Sequence, residues 1–506
     1  MKKQKKGITQ ISVQLSKAIL HSVTFLLFVG CGGDGNVNLP EGIRIDSRPN
    51  IIVVITDDQG FADVGAQDVF SEVQTPHIDR MAQHGVRMTA AYSTAPQCTP
   101  SRAALMTGRY QQRFGVEDNM HTPLPLSTDT IAQRLRHSGY FTGFVGKWHL
   151  DVDNNSRKWF ATNFPSGDVD DFDVNELPIE IRRRYFPDSR GFDDVYFGYK
   201  DSYWRNFNFF GRDENAGYVT NRDFRIHVVT NAALSFIDRH RTDPFFLVVS
   251  YYAPHVPLEA PSIYLDRIAE GIPLRRRYAL AMILAVDSGV GAIMEKVRTC
   301  QLEEDTLIFF MSDNGAPLGI DKMDAPISDP SGMWDGSLND PWIGEKGMLS
   351  EGGIRVPFLV QWKGTLPENE IYHGAVSMLD VGMTALSVAE SLPVDDLDGM
   401  NLVPILQGNV DAPMERTLFW RFWNQMAIRK GSFKFLLAGG YEFLFDLSDP
   451  DHEYVNLIED QPDIAMQMKD DLSNWAQSMQ RPRMTKPQLT GKQLDYYKAY
   501  FGVRAQ

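Results

Sequence analysis

Apolar residues fall into two alternating patterns along this chain. Short, nearly continuous runs rich in β-branched and aromatic residues occupy 51–56, 140–146, 245–251 and 307–312. Each has the length of a strand buried on both faces. Between them, 77–85, 127–139 and 224–240 space their apolar residues three and four apart, the period of a helix with one face in a core. The first two helical segments end on glycine, and Ser127 is the expected N-cap of the second. Strands alternating with helices predict an α/β fold, a large, mainly parallel sheet flanked by helices on both faces.

Polar residues follow each predicted strand directly: Asp57 and Asp58 the first, Lys147 and His149 the second, His255 the third, Asp313 and Asn314 the fourth. Open parallel sheets bind ligands outside the carboxyl ends of their strands, so four separated segments converge on one expected site. From about 396 the pattern changes to short strand-like pieces at 418–423, 426–428, 433–437 and 443–447, then a helical stretch at 464–478. This predicts a large domain over 49–395 and a smaller C-terminal unit over 396–506, an antiparallel sheet with a packed helix.

Composition narrows the function classes. The chain has 506 residues, 43% hydrophobic and 23% charged, with a net charge of -15. Those proportions are ordinary for a globular protein, and an acidic balance argues against a nucleic-acid partner. Lys2, Lys3, Lys5, Lys6 and Lys17 precede an apolar run from Ala18 to Val29 that is short for a membrane span and ends at Gly30-Cys31. The 1–31 segment resembles a bacterial lipoprotein signal, with Cys31 as the lipidated residue and 32–48 as a tether. The expectation is an extracytoplasmic protein in the periplasm or at the cell surface, touching the membrane only through that anchor. Cys98 and Cys300 are the other cysteines, which implies no disulfide framework.

The segment Cys98-Thr99-Pro100-Ser101-Arg102, running on to Thr107-Gly108, carries the chemistry. Pro100 suits the first turn of a helix and Gly108 its end, which sets Cys98 just before a helix N-terminus, where an anion is stabilised. Asp57, Asp58, Asp313 and Asn314 offer oxygen ligands only, a set suited to calcium or magnesium rather than zinc. His255 has the ordinary pKa of a general acid near neutrality.

Cys-x-Pro-Ser-Arg followed by Thr-Gly is the signature of type I, formylglycine-dependent sulfatases, which this chain resembles from about Pro49 to about Leu457. Gly139 to His149, Gly344-Glu345-Lys346-Gly347 and the C-terminal 443–450 segment match further family segments. The resemblance implies an alkaline-phosphatase-like fold and a Cys98 oxidised by a formylglycine-generating maturation enzyme. It implies a single Ca2+ held by Asp57, Asp58, residue 98, Asp313 and Asn314. It also assigns catalytic roles to Arg102, Lys147, His149, His255 and Lys346: sulfate contact by both lysines, orientation of the nucleophile by His149 and proton donation by His255. The activity implied is hydrolysis of sulfate esters on a sulfated carbohydrate, of the kind used in polysaccharide breakdown. A phosphodiesterase or phosphonate monoester hydrolase of the same superfamily, and a non-catalytic lipid-anchored glycan-binding protein, are the alternatives.

Three further features carry expectations. The 315–345 segment has no helix or strand pattern and holds Trp334 and Trp342, which are expected at the pocket rim against sugar. Arg182–Arg184 and Arg275–Arg277 read as solvated faces. Tyr203, Trp204 and 207–210 offer either a sugar platform or core.

Overall fold

The computed structural model describes residues 48–329, 334–391, 393–411, 415–449, 451–482 and 488–504. The 1–31 signal segment with Cys31, and residues 32–47 of the tether, lie outside the described residues.

Strand β1 (Asn50–Asp57) is buried at all eight positions, as a central parallel strand must be. The remaining sheet strands are β2 (Val86–Met88), β3 (Phe141–Gly146), β4 (Asp194–Tyr199), β5 (Ser202–Phe207), β6 (Asp213–Thr220), β7 (Phe245–Pro254), β8 (Thr306–Ser312), β9 (Phe358–Gln361) and β10 (Glu370–Tyr372). They form a ten-stranded sheet in the order β10-β2-β9-β8-β1-β7-β3-β4-β5-β6. Its centre, β8 to β4, is parallel throughout, and antiparallel pairs flank it on both sides.

Side chains of β1 alternate between the two faces. Ile51, Val53 and Ile55 enter one core with Leu105, Leu135 and Leu386, while Ile52 and Val54 enter the other with Phe236, Leu284 and Val290. Each such aliphatic side chain contributes about 1.5–3 kcal/mol by leaving water. The second core is covered by α4 (Arg225–Arg239) and by α5 (Leu274–Thr299), a long apolar helix. The first is covered by α2 (Cys98–Thr107) and α3 (Ile131–His137). Helix α1 (Pro76–Gln83) packs beside α5.

Helix α3 starts three residues later than its expected cap placed it. Thr130, not Ser127, is its N-cap, in a capping box with Gln133 that Ser127 has no partner to form.

The C-terminal sheet is β11 (Thr417–Phe422), β12 (Gln425–Lys430), β13 (Phe433–Ala438) and β14 (Tyr441–Asp446), an antiparallel meander. Helices α6 (Pro462–Ser478) and α7 (Lys492–Phe501) come after it. Ile428, Phe435 and Leu444 share a core with Ala104 of α2 and with Leu472 and Trp475 of α6, and Trp420 and Phe443 share another with Leu349 and Ile354. The main body and this sheet are one compact unit. Lys434 lies fully buried between Glu351 and Glu453, 2.9 Å from each, which ties β13 to the segment after Lys346.

Candidate active site

The residues expected at the strand ends do meet. Asp57 closes β1, and Asp58 comes next in a left-handed backbone, φ 63°. His149 is likewise left-handed, φ 60°. Such conformations cost a non-glycine residue roughly 1–3 kcal/mol and cluster at functional sites. Gly146 allows β3 to end against β7: a Cβ there would lie 1.8 Å from the Ser250 carbonyl oxygen. That contact sets the position of Lys147, whose backbone N–H donates to the same carbonyl at 2.9 Å.

Cys98 is the first residue of α2 rather than the residue before it, because Gln97 holds the extended N-cap conformation. The thiol lies 3.3 Å from Asp57 Oδ1 and 3.8 Å from Asp58 Oδ1. Lys147 Nζ donates to Asp57 Oδ2 at 2.6 Å, and Lys346 Nζ to Asp58 Oδ2 at 2.6 Å. Lys346 Nζ also stands 3.5 Å from Cys98 Sγ. Arg102, one turn into α2, donates through Nε to Asp313 Oδ2 at 2.9 Å and through Nη1 to the Lys147 carbonyl and Ser250 Oγ.

Three buried carboxylates thus face three cations. Burial raises the Asp57 and Asp58 pKa values, yet the surrounding cations, Lys147 foremost for Asp57 and Lys346 for Asp58, outweigh it and hold both below the usual range. Asp313 is pushed up to about 6 by burial, with Arg102 opposing and Asp57 and Asp58 adding to the rise. Burial and Asp313 push the Cys98 thiol well up, so the encoded side chain is a protonated thiol rather than a thiolate nucleophile.

Oxygens of Asp57, Asp58 and Asp313 and the Cys98 sulfur all lie within 4.8 Å of one another, all buried. Asn314 donates Nδ2 to Asp58 Oδ1 at 2.6 Å, while its own Oδ1 is buried without a hydrogen-bond partner. Rotating the amide by half a turn presents that orphaned oxygen to the carboxylates. The three carboxylates and that spare buried acceptor are oxygen donors that fit a hard divalent cation.

His255 holds its ring by Nδ1, 2.7 Å from the Val256 carbonyl, which leaves Nε2 toward the site, 3.7 Å from Asp58 Oδ2. Burial lowers its pKa, with Asp57 and Asp58 opposing. His149 is half-buried, its buried Nδ1 is without a hydrogen-bond partner, and burial and Lys147 hold its pKa well below the usual value. Its carbonyl accepts from Thr99 Oγ1 at 3.3 Å, so it lies over the first turn of α2.

The 315–345 segment departs from expectation. Trp334 is 5% exposed and packs on Ala316 and Leu318, its Nε1 donating to the Ser337 carbonyl. Trp342 is half-buried under the Arg355 guanidinium, 3.6 Å from its ring centre, with Phe61 and His452 against it. Neither is a free rim platform; both hold the segment in place. Arg275 and Arg276 are buried as well, not solvated: Arg275 binds the Trp334 carbonyl, and Arg276 pairs with Asp63 at 2.7 Å. Tyr203, Trp204 and Phe207 belong to the core.

The segment's contribution to the site is Asp335, which no periodicity marks. It is buried, with a carboxylate oxygen within 4.8 Å of ligand atoms of Asp58 and His255. Burial and Asp58 push its pKa up to about 8. Glu345, beside Lys346, accepts the backbone N–H groups of Leu318, Gly319 and Ile320 at 2.8–2.9 Å and the Tyr500 hydroxyl of α7 at 3.1 Å. It seats the turn that aims Lys346.

The profile of the family described as Sulfatase matches residues 49–391. The chain belongs to the sulfatase family. It is a sulfuric ester hydrolase. It is 31% identical over 412 residues to the N-acetylgalactosamine-6-sulfatase of Mus musculus, across 76% of this chain and 71% of that one. Its identity to the uncharacterized sulfatase YdeN of Escherichia coli is 29% over 427 residues, across 75% and 70% of the two chains. The crystal structure of Ps i-CgsB in complex with k-i-k-neocarrahexaose superposes with a TM-score of 0.70 at 26% identity, covering 89% of this chain and 97% of that one.

Proposed function

We propose that this sulfatase removes sulfate from a sulfated carbohydrate, an oligosaccharide derived from a polysaccharide, with residue 98 as formylglycine and one Ca2+ in the acidic cluster. The observation that carries this reading is the buried group of Asp57, Asp58, Asp313 and Cys98 clamped between Lys147 and Lys346. The mouse relative is named an N-acetylgalactosamine-6-sulfatase and Ps i-CgsB was solved in complex with k-i-k-neocarrahexaose, which supports the substrate class.

Asp57, Asp58, Asp313 and the turned Asn314 amide would hold the Ca2+, which would offset the negative charge of sulfate, and residue 98, once converted, would supply the attacking hydroxyl. Lys147 and Lys346 contribute ammonium groups to the sulfate oxygens, in a pocket where burial strengthens each interaction. Arg102 fixes the Asp313 carboxylate. With Nδ1 engaged by the Val256 carbonyl, His255 Nε2 is the nitrogen that exchanges a proton with the leaving alcohol.

Two measurements test this. Peptide mass spectrometry of protein made alongside a formylglycine-generating enzyme is expected to show an aldehyde at residue 98. Sulfate release is expected to exceed phosphodiester cleavage on matched aryl esters. Full activity with an intact Cys98 thiol, or a preference for the diester, overturns the reading.

We also propose an extracytoplasmic location with a lipid anchor at Cys31, supported by the basic and apolar pattern that precedes it. Cys31→Ser is expected to move the protein from the membrane fraction to the soluble one.

A further inference from the structure

Beside the His255 loop lies a second cavity, of about 390 Å3, within the usual range of ligand pockets. Its walls come from three places: the β4–β5 turn with Lys200 and Asp201, the stretch before α4 with Asn221, Arg222 and Asp223, and Pro257 with Glu259 after His255. The buried Arg225 joins it to the reaction centre. One Arg225 nitrogen, Nη2, donates to the His255 carbonyl at 3.1 Å and to the Pro257 carbonyl at 2.5 Å, and Nε pairs with Glu259 at 3.0 Å. The facing wall is tied down too, since the Tyr252 hydroxyl of β7 donates to the Gly198 carbonyl and Arg222 lies 3.8 Å from Asp201.

The lining carries three cations, Lys200, Arg222 and Arg225, against three carboxylates, Asp201, Asp223 and Glu259. A balanced set does not select an anion. Carboxylates, an amide and guanidinium groups in one cleft are the side chains that exchange hydrogen bonds with a polyol. Phe224 also lines the cavity, between Asp223 and Arg225. Pro257 is two residues from His255, and Arg225 holds the His255 carbonyl, so the cavity lies beside the loop that carries that histidine.

We propose that this cleft is a subsite for an uncharged sugar ring linked to the sulfated one. It therefore rests on the carbohydrate-sulfatase reading. The subsite acts by binding energy remote from the reacting bond and leaves the nucleophile and the sulfate contacts unchanged.

The test uses the matured full chain with 4-nitrophenyl sulfate, and with a panel of sulfated mono- and oligosaccharides from carrageenan, ulvan, chondroitin and heparin. Asp201→Ala and Asp223→Ala, both at exposed positions lining the cleft, are expected to raise KM on the best oligosaccharide about tenfold or more. The same variants are expected to leave kcat/KM on 4-nitrophenyl sulfate within about twofold and the melting temperature unchanged. Equal losses on both substrates, or no oligosaccharide processed better than the corresponding monosaccharide, overturns the subsite. Failure of the unaltered enzyme on 4-nitrophenyl sulfate and on every sulfated sugar falls instead on the proposed function.

Discussion

Arg102 grips a single oxygen of Asp313, with Nε at 2.9 Å and Nη2 at 2.8 Å, in a pair almost wholly shielded from water. The contact joins the helix that begins at Cys98 to the end of β8. Arg102→Lys keeps the charge and loses the planar fork. Sulfate release is expected to fall by about 10²-fold or more, with circular dichroism and melting showing a folded protein. Arg102→Ala, which strands a buried carboxylate, is expected to cost about 3–5 kcal/mol in denaturant unfolding.

Calcium dependence is expected from the oxygen cluster. Chelation is expected to abolish turnover and added calcium to restore it, with one calcium per chain by elemental analysis and none in Asp313→Ala. Because Asp313 titrates at about 6, its carboxylate is ionised above that value and protonated below it. Calcium affinity is therefore expected to weaken as pH falls through about 6, which calorimetric titration across the range will read.

Trp334 is a fold residue. Trp334→Ala is expected to destabilise the protein by about 3–5 kcal/mol, the usual cost of deleting a buried aromatic. Activity on 4-nitrophenyl sulfate and on a sulfated oligosaccharide is expected to decline together, since the ring touches the 315–345 segment itself. A selective loss on the oligosaccharide would return Trp334 to the rim.

Lys434→Met is the matching experiment at the C-terminal sheet. The lysine answers Glu351 and Glu453 at 2.9 Å each, and its loss leaves two buried carboxylates facing each other. Burial, with Glu351 adding, already pushes Glu453 up to about 7. Unfolding free energy is expected to drop by about 3–5 kcal/mol, and Lys434→Met combined with Glu351→Gln and Glu453→Gln to recover much of it.

The strands around the site were legible because a parallel strand covered on both faces must be apolar along its whole length, as 51–56 and 307–312 are. The residues just beyond such a strand emerge at the sheet edge, so Asp57, Lys147, His255 and Asp313 could be grouped before any contact was seen. The 315–345 segment was not legible, because its order comes from distant partners: Arg275 and Arg276 of α5 on the Trp334 and Gly336 carbonyls, Arg355 on Trp342 and Tyr500 on Glu345. Asp335 carries no local pattern that separates it from the other acidic residues of the segment. The three arginines of 275–277 read as a solvated face because a run of like charge usually is one. Two of them are instead the internal braces of a loop.

The depth of residue 98 sets an order of events in the life of the chain. Its side chain is 1% exposed, and the turn bearing Lys346 beside it is seated through Glu345 by Tyr500 of α7. The native fold thus encloses that sulfur, and α7 is part of the enclosure. The proposed oxidation of Cys98 is therefore expected before α7 docks, with a yield set by the race between the modifying enzyme and folding. Slowing translation or delaying docking of α7 should raise the aldehyde fraction, whereas incubating the finished native protein with the same enzyme should leave the thiol untouched.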